Sequence, residues 1–175
     1  MKSINIVVLV VLFTSCAPVY VSTDFEKGTD FSKYKTYNYY SEIETGLSEL
    51  DTKRLLNVLE KQLQLQGMDI AETPDFYINI VSKEYPVEQK STVGVGVGGT
   101  GNNVGGGVSI GIPVGQAKIT RQILFEFIDE NGIGLFWQAE TESSYNPNAT
   151  PEKREAILQN IVEKVLKKYP LKTKE

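Results

Sequence analysis

The chain has 175 residues, 41% hydrophobic and 23% charged, a balance that lets a single globular domain bury enough apolar surface to offset the entropy of ordering it. A formal net charge of −4 disfavours nucleic acid as a partner, because tracking phosphates takes a basic face. No histidine and only one cysteine are present, which removes Ser-His-Asp and Cys-His triads, imidazole zinc sites and an intramolecular disulfide, so the expectation is a non-enzymatic protein without metal or other cofactor.

Met1-Lys2-Ser3 supplies a short positive start, and residues 4–13 are nearly all apolar, broken only by Asn5. Such a run reads as the core of a secretion signal and is too short for a permanent membrane span, which takes about 20 apolar residues. Leu12-Phe13-Thr14-Ser15-Cys16 resembles the lipobox of bacterial lipoproteins, with Phe13 where leucine is usual. The resemblance implies that the Cys16 thiol is alkylated by a diacylglycerol, the signal is cut before it, and the new amino group is acylated. The competing readings are a plain secretory peptide with an incidental cysteine, or a buried thiol in a short helix. The lipoprotein reading is preferred, and its chains suffice for anchoring, since two or more hold a protein stably and one does not.

The expected layout is therefore a signal at residues 1–15 and one domain at 16–175, with removal of the signal taking the net charge from −4 to −5. Ala17-Pro18-Val19-Tyr20 lacks the acidic cluster of some surface-exported lipoproteins. The expected location is the cell envelope, lipid-anchored at the outer membrane and facing the periplasm.

Residues 20–25 alternate and residues 34–40 are dense in aromatics, so both read as strands, with turn chemistry in Gly28-Thr29-Asp30-Phe31-Ser32 between them. A helix is expected from Ser48. Ser48 and Asp51 are spaced as in a capping box, Leu55, Leu56, Leu59 and Leu63 recur at helical spacing, and Gly67 ends the run. Residues 75–83 alternate as a strand with one strongly apolar face. Residues 119–128 and 133–142 are expected to pair as a hairpin through Asp129-Glu130-Asn131-Gly132, where Asn-Gly signals a tight turn. A final helix is capped by Thr150, opens on Pro151 and Glu152, carries Ile157, Leu158, Ile161, Val162, Val165 and Leu166, and stops at Tyr169-Pro170.

Two amphipathic helices and about six strands imply a two-layer α+β domain, a mainly antiparallel sheet with both helices packed on it. The element order resembles small envelope assembly lipoproteins such as the lipopolysaccharide-assembly lipoprotein, a likeness of fold that does not transfer function. The stretch Asp30-Phe31-Ser32-Lys33-Tyr34-Lys35-Thr36-Tyr37, then Gln66-Gly67-Met68, Thr73-Pro74-Asp75-Phe76, the Gly-Val-Gly-Val-Gly segment and Gly134-Leu135-Phe136-Trp137 together resemble the lipoproteins grouped as domain of unknown function 4136. That family has no established activity, so the resemblance implies location and fold rather than a task.

The glycine-rich segment at residues 93–114 reads as a hairpin whose alternation puts Val93, Val95 and Val97, then Val108, Ile110, Ile112 and Val114, on one face and glycines on the other. Three readings stay open. The aliphatic face packs on the protein's own helices; or the hairpin is an arm that docks on a partner or self-associates, with Val93, Val95, Val97, Val108, Ile110 and Ile112 as the contact; or it inserts into the acyl region. Asp69, Asp75, Asp129 and Glu130 sit at turns and strand ends, where carboxylates cap backbone amides. Glu126, Glu140 and Glu142 read as a solvated face rather than a carboxylate active site, and Tyr37, Tyr39, Tyr40 and Trp137 as core rather than a ligand groove.

The expected function is a lipid-anchored envelope module that binds the membrane through its acyl chains and a protein or other envelope component through its body. The alternative is a carrier of a lipid or other small apolar ligand between sheet and helices. A carboxylate hydrolase would need two close acids of divergent pKa in a cleft.

Overall fold

The computed structural model describes residues 18–40, 43–87, 92–94, 111–113 and 118–170. Strand β1 (Val19–Phe25) is followed by a 3-10 turn at Phe31–Lys33, strand β2 (Thr36–Tyr39) and helix α1 (Glu49–Leu65). Then come β3 (Asp69–Ile70), β4 (Phe76–Val87), β5 (Thr92–Gly94), β6 (Gly111–Pro113), β7 (Lys118–Asp129), β8 (Gly134–Tyr145) and helix α2 (Pro151–Leu166). Six strands form one sheet in the order β1-β8-β7-β4-β2-β3, and β5 and β6 form a separate pair. The class is α+β, as expected.

The sheet is mixed, which corrects the expectation of a mainly antiparallel one. β1, β8, β7 and β4 pair antiparallel, but β2 runs parallel to both β3 and β4. The cause is α1, which carries the chain from the end of β2 back to the end where β2 began, so the next strands must run the same way. A strand, a helix and a strand in succession over residues 36–78 carry that βαβ signal.

Both helices begin where the sequence places their caps. The Ser48 hydroxyl accepts from the Asp51 N–H and the Thr150 hydroxyl from the Lys153 N–H. Leu55, Leu59 and Leu63 of α1, and Leu158, Ile161, Val162, Val165 and Leu166 of α2, are buried on one sheet face. That face is supplied by alternate residues: Phe76, Ile78 and Ile80 of β4 and Ile123, Phe125 and Phe127 of β7. The other face carries no layer among the described residues, and polar and half-buried residues alternate onto it.

The β7–β8 hairpin forms as expected, but its turn differs. Asp129 pairs with Gly134, so the loop is Glu130 to Ile133, and the left-handed residue is Gly134, at φ +75°, rather than the Asn131-Gly132 pair. The reason lies two residues on. Pairing steps from Phe127 with Trp137 to Ile128 with Leu135, which leaves Phe136 as an extra residue in β8. The bulge lets both Phe136 and Trp137 face inward, which strict alternation forbids. Phe136 then stacks on Tyr34 with ring centroids 3.9 Å apart.

Gly132 is needed for space. A Cβ there would lie 2.3 Å from the Asp129 Oδ2 that holds Lys33 and Tyr34. Gly132→Ala is expected to cost about 1–3 kcal/mol by forcing that carboxylate aside. Urea unfolding should show a lower midpoint with an unchanged slope; an unchanged midpoint would mean the turn relaxes freely.

Candidate functional site

β7 presents Arg121, Ile123, Phe125 and Phe127 to the core side in turn, so one guanidinium enters an apolar row. On α1 the inward series Asp51, Leu55, Leu59, Leu63 likewise begins with a charge. These two exceptions meet. Asp51 is fully buried; its Oδ2 accepts from Arg121 Nη1 at 3.3 Å and from Arg154 Nη1 of α2 at 2.8 Å, while Oδ1 accepts from Arg54 Nη1 at 2.8 Å. Arg121 also donates from Nε and Nη2 to Glu84 Oε1 of β4, at 3.0 and 2.7 Å, and lies 3.6 Å over the Tyr145 ring of β8. Arg154 is held further by the Pro147 and Ala149 carbonyls. One carboxylate thus ties α1, α2 and the sheet together.

Burial acts to raise the Asp51 carboxyl, but donation from Arg54 and Arg154 and the charges of Arg154 and Arg121 outweigh it and hold it below the usual carboxylate range. A second, smaller cluster has the same logic. Asp129 accepts from Tyr34 Oη at 2.9 Å and Lys33 Nζ at 3.1 Å, and these donors overcome the opposing effect of burial to depress its carboxyl. Asp75 accepts from the backbone N–H groups of Lys35 and Thr36, both at 2.8 Å, and fastens β2 to the start of β4.

The other residues singled out by sequence are dispersed. Glu126 accepts from Asn79 at 2.8 Å, Glu142 from Tyr85 at 2.9 Å and Glu140 from Gln122, all on the uncovered sheet face. Each is partnered by a neutral side chain of another strand, adjacent for Glu126 and Glu140 and one strand further away for Glu142. Asp69 is exposed on β3 and Glu130 in the β7–β8 loop. Tyr37 and Trp137 are buried in the core, Tyr39 packs against it, and Tyr40 stacks on Tyr77 at 5.1 Å. Val93 and Ile112 are register partners in β5 and β6. Val95, Val97, Val108, Ile110 and Cys16 lie outside the described residues.

Between the sheet and α2 there is a space of about 20 Å³ lined by Arg121, Tyr145, Arg154 and Leu158, room for about one water. Shallower hollows of about 150 and 330 Å³ lie at the Phe25 end of β1 and over Val81 and Leu124. Among the described residues no group of three His, Cys, Asp or Glu could hold a metal ion, and no helix is long and apolar enough to cross a membrane.

Residues 21–171 match the family described as Domain of unknown function (DUF4136). The chain belongs to that family. Among solved structures, this DUF4136 protein is similar to a PDZ domain protein from Parabacteroides distasonis ATCC 8503, at 16% identity and TM-score 0.54, over 90% of this chain but 37% of that one. It is also similar to the PelC dodecamer from Paraburkholderia phytofirmans, at 13% identity and TM-score 0.52, over 90% of this chain and 100% of that one. At those identities the likeness is one of fold. No curated protein matches the chain.

The Asp51 cluster carries a pH prediction. Because the folded-state carboxyl lies below its unfolded value near 3.8, its contribution is complete above that value and is lost as pH falls through the lower folded one. Asp51→Asn removes the charge that Arg54, Arg121 and Arg154 share; Arg121 keeps Glu84 and the other two are partly exposed, so the expected cost is about 1–3 kcal/mol at pH 7. The variant should lose less further stability than the parent between pH 5 and pH 2. Urea unfolding across that range checks both; parallel curves would place the acid sensitivity elsewhere.

Proposed function

We propose that this DUF4136 protein is a lipid-anchored lipoprotein of the cell envelope, in the outer membrane facing the periplasm, and that it works as a non-enzymatic binding or assembly module. The observation that carries the reading is the apolar run at residues 4–13 running into Ser15-Cys16. An apolar run of that length suits a cleaved signal. The assembly half of the reading draws on PelC, a dodecamer whose fold this chain shares. The carrier alternative is favoured less, because the space between sheet and α2 is on the scale of a water rather than an acyl chain.

Within this reading Cys16 is the tether, and the segment at residues 93–114 is the contact, through Val93, Val95, Val97, Val108, Ile110 and Ile112. The segment joins β4 to β7, whose pairing closes at Val87 with Lys118 and supplies its own register.

Two experiments test the proposal. The intact mass of the chain isolated from bacterial membranes should fit a polypeptide starting at Cys16 with acyl groups added, and Cys16→Ser should give a chain without acyl groups and with its signal uncleaved. An unmodified mass for the membrane form would sink the anchor. Replacing residues 95–110 by Asn-Gly should keep the unfolding free energy from urea titration within about 0.5 kcal/mol of the parent, the range of surface changes away from buried features, and should abolish crosslinks to envelope proteins. Unfolding on replacement would instead make the segment part of the core.

A further inference from the structure

The register of the sheet fixes which end of the molecule is tethered. β1 opens at Val19 opposite Ser143, Ser143 lies opposite Arg121, and Arg121 opposite Glu84. The start of β1 therefore lies at the end where β4 finishes and β7 begins, whereas Phe25 and the β7–β8 turn lie at the other. Both helices also begin at the tethered end, since Asp51 near the start of α1 and Arg154 near the start of α2 meet at Arg121. Their far ends meet too, where Gln66 Nε2 donates to the Leu166 carbonyl.

Three side chains on the uncovered sheet face at the tethered end are apolar or phenolic and exposed. Tyr20 is 69% exposed, Val87 41% and Tyr85 36%. Tyr20 lies opposite Glu142 in register, and the Tyr85 hydroxyl donates to that same carboxylate, so the two rings flank one acid. Tyr85 keeps its polar tip satisfied while its ring stays open to solvent.

The length of the tether decides what those rings meet. From Cys16 to Val19 is three residues, which span at most about 10 Å fully extended. The headgroup layer on one side of a bilayer is itself roughly 5–8 Å thick. A body held by acyl chains on Cys16 therefore cannot carry Tyr20 far beyond the headgroups. Tyrosine is a side chain that gains at this boundary, with its ring among the glycerol and acyl carbons and its hydroxyl in water. We infer that the sheet end bearing Tyr20, Tyr85 and Val87 seats on the phospholipid surface, so that the domain stands with its strands pointing away from the bilayer and Ile133 at its outer tip. This orientation rests on the lipid-anchor reading above.

The test uses the full chain, processed in cells and reconstituted in phosphatidylcholine vesicles that contain bromine-bearing lipid. Tyr20→Cys, Tyr85→Cys and, at the opposite end, Ile133→Cys are each labelled with a polarity-sensitive fluorophore. All three sites are exposed, so the fold should survive, and a Cys16 sulfur in thioether linkage takes no label. Quenching at positions 20 and 85 is expected to exceed that at 133 at least twofold, with blue-shifted emission at the first two only. Equal quenching at the three sites in protein of acylated mass overturns the orientation while leaving the anchor intact. A mass without acyl groups overturns the anchor and the orientation with it.

Discussion

Neutralisation of Asp51 is the condition on which the arrangement of layers depends. A carboxylate without solvent contact would cost several kcal/mol if left alone, and a buried guanidinium is no cheaper. Here the two costs offset each other only when α1, α2 and β7 occupy their observed places, because Arg54, Arg154 and Arg121 come from those three elements. Apolar burial drives the helices onto the sheet but is nearly indifferent to a small slide along it. Ion pairs at 2.8 to 3.3 Å are not, so the cluster sets the register that the leucine stripe leaves soft.

The sheet that results has two unlike faces and two unlike edges. Its inner face is aromatic and aliphatic, closed at the far end by Phe136, Trp137, Phe127 and Tyr169, whose rings meet edge to face or tilted. Its outer face offers half-buried Val81 and Leu124 among carboxylates that bond to amides and a phenol. The β1 edge would be a template for unwanted strand pairing, yet Lys164 donates to the Val19 carbonyl at 3.3 Å and Lys168 to the Val21 carbonyl. Two lysine amines, one from α2 and one from the turn after it, thus occupy acceptors that another strand would need.

How far this was legible in sequence varies with the range of the interaction responsible. The caps at Ser48 and Thr150, the alternation of residues 75–83 and the pairing of residues 119–128 with 133–142 are local effects, and local residues announce them. β3 is two residues long and exists because the chain leaving α1 lies beside β2, which no periodicity reports. The parallel pairing of β2 and β4 was readable from the intervening helix and was outweighed by the run of later strands. Asp51 and Arg121 each break an apolar series, which marks them singly as misfits, but only the fold shows that they answer one another across 70 positions. The bulge at Phe136 is similarly invisible, because Phe136-Trp137 reads as ordinary alternation until both rings are found inside.

One end of the sheet gathers the charged cluster, the starts of both helices, the beginning of β1 and the two strand ends at Val87 and Lys118. Lengthening a hairpin loop from about 4 to about 30 residues costs only about 2 kcal/mol in closure entropy. The β4–β7 ladder runs over eleven register pairs, with its Ile78, Ile80, Ile123, Phe125 and Phe127 side chains in the core, and it outweighs that cost. The register of β4 and β7 is therefore set by their own pairing from Tyr77 with Ile128 to Val87 with Lys118, and the length of the connection between them is a minor cost beside it.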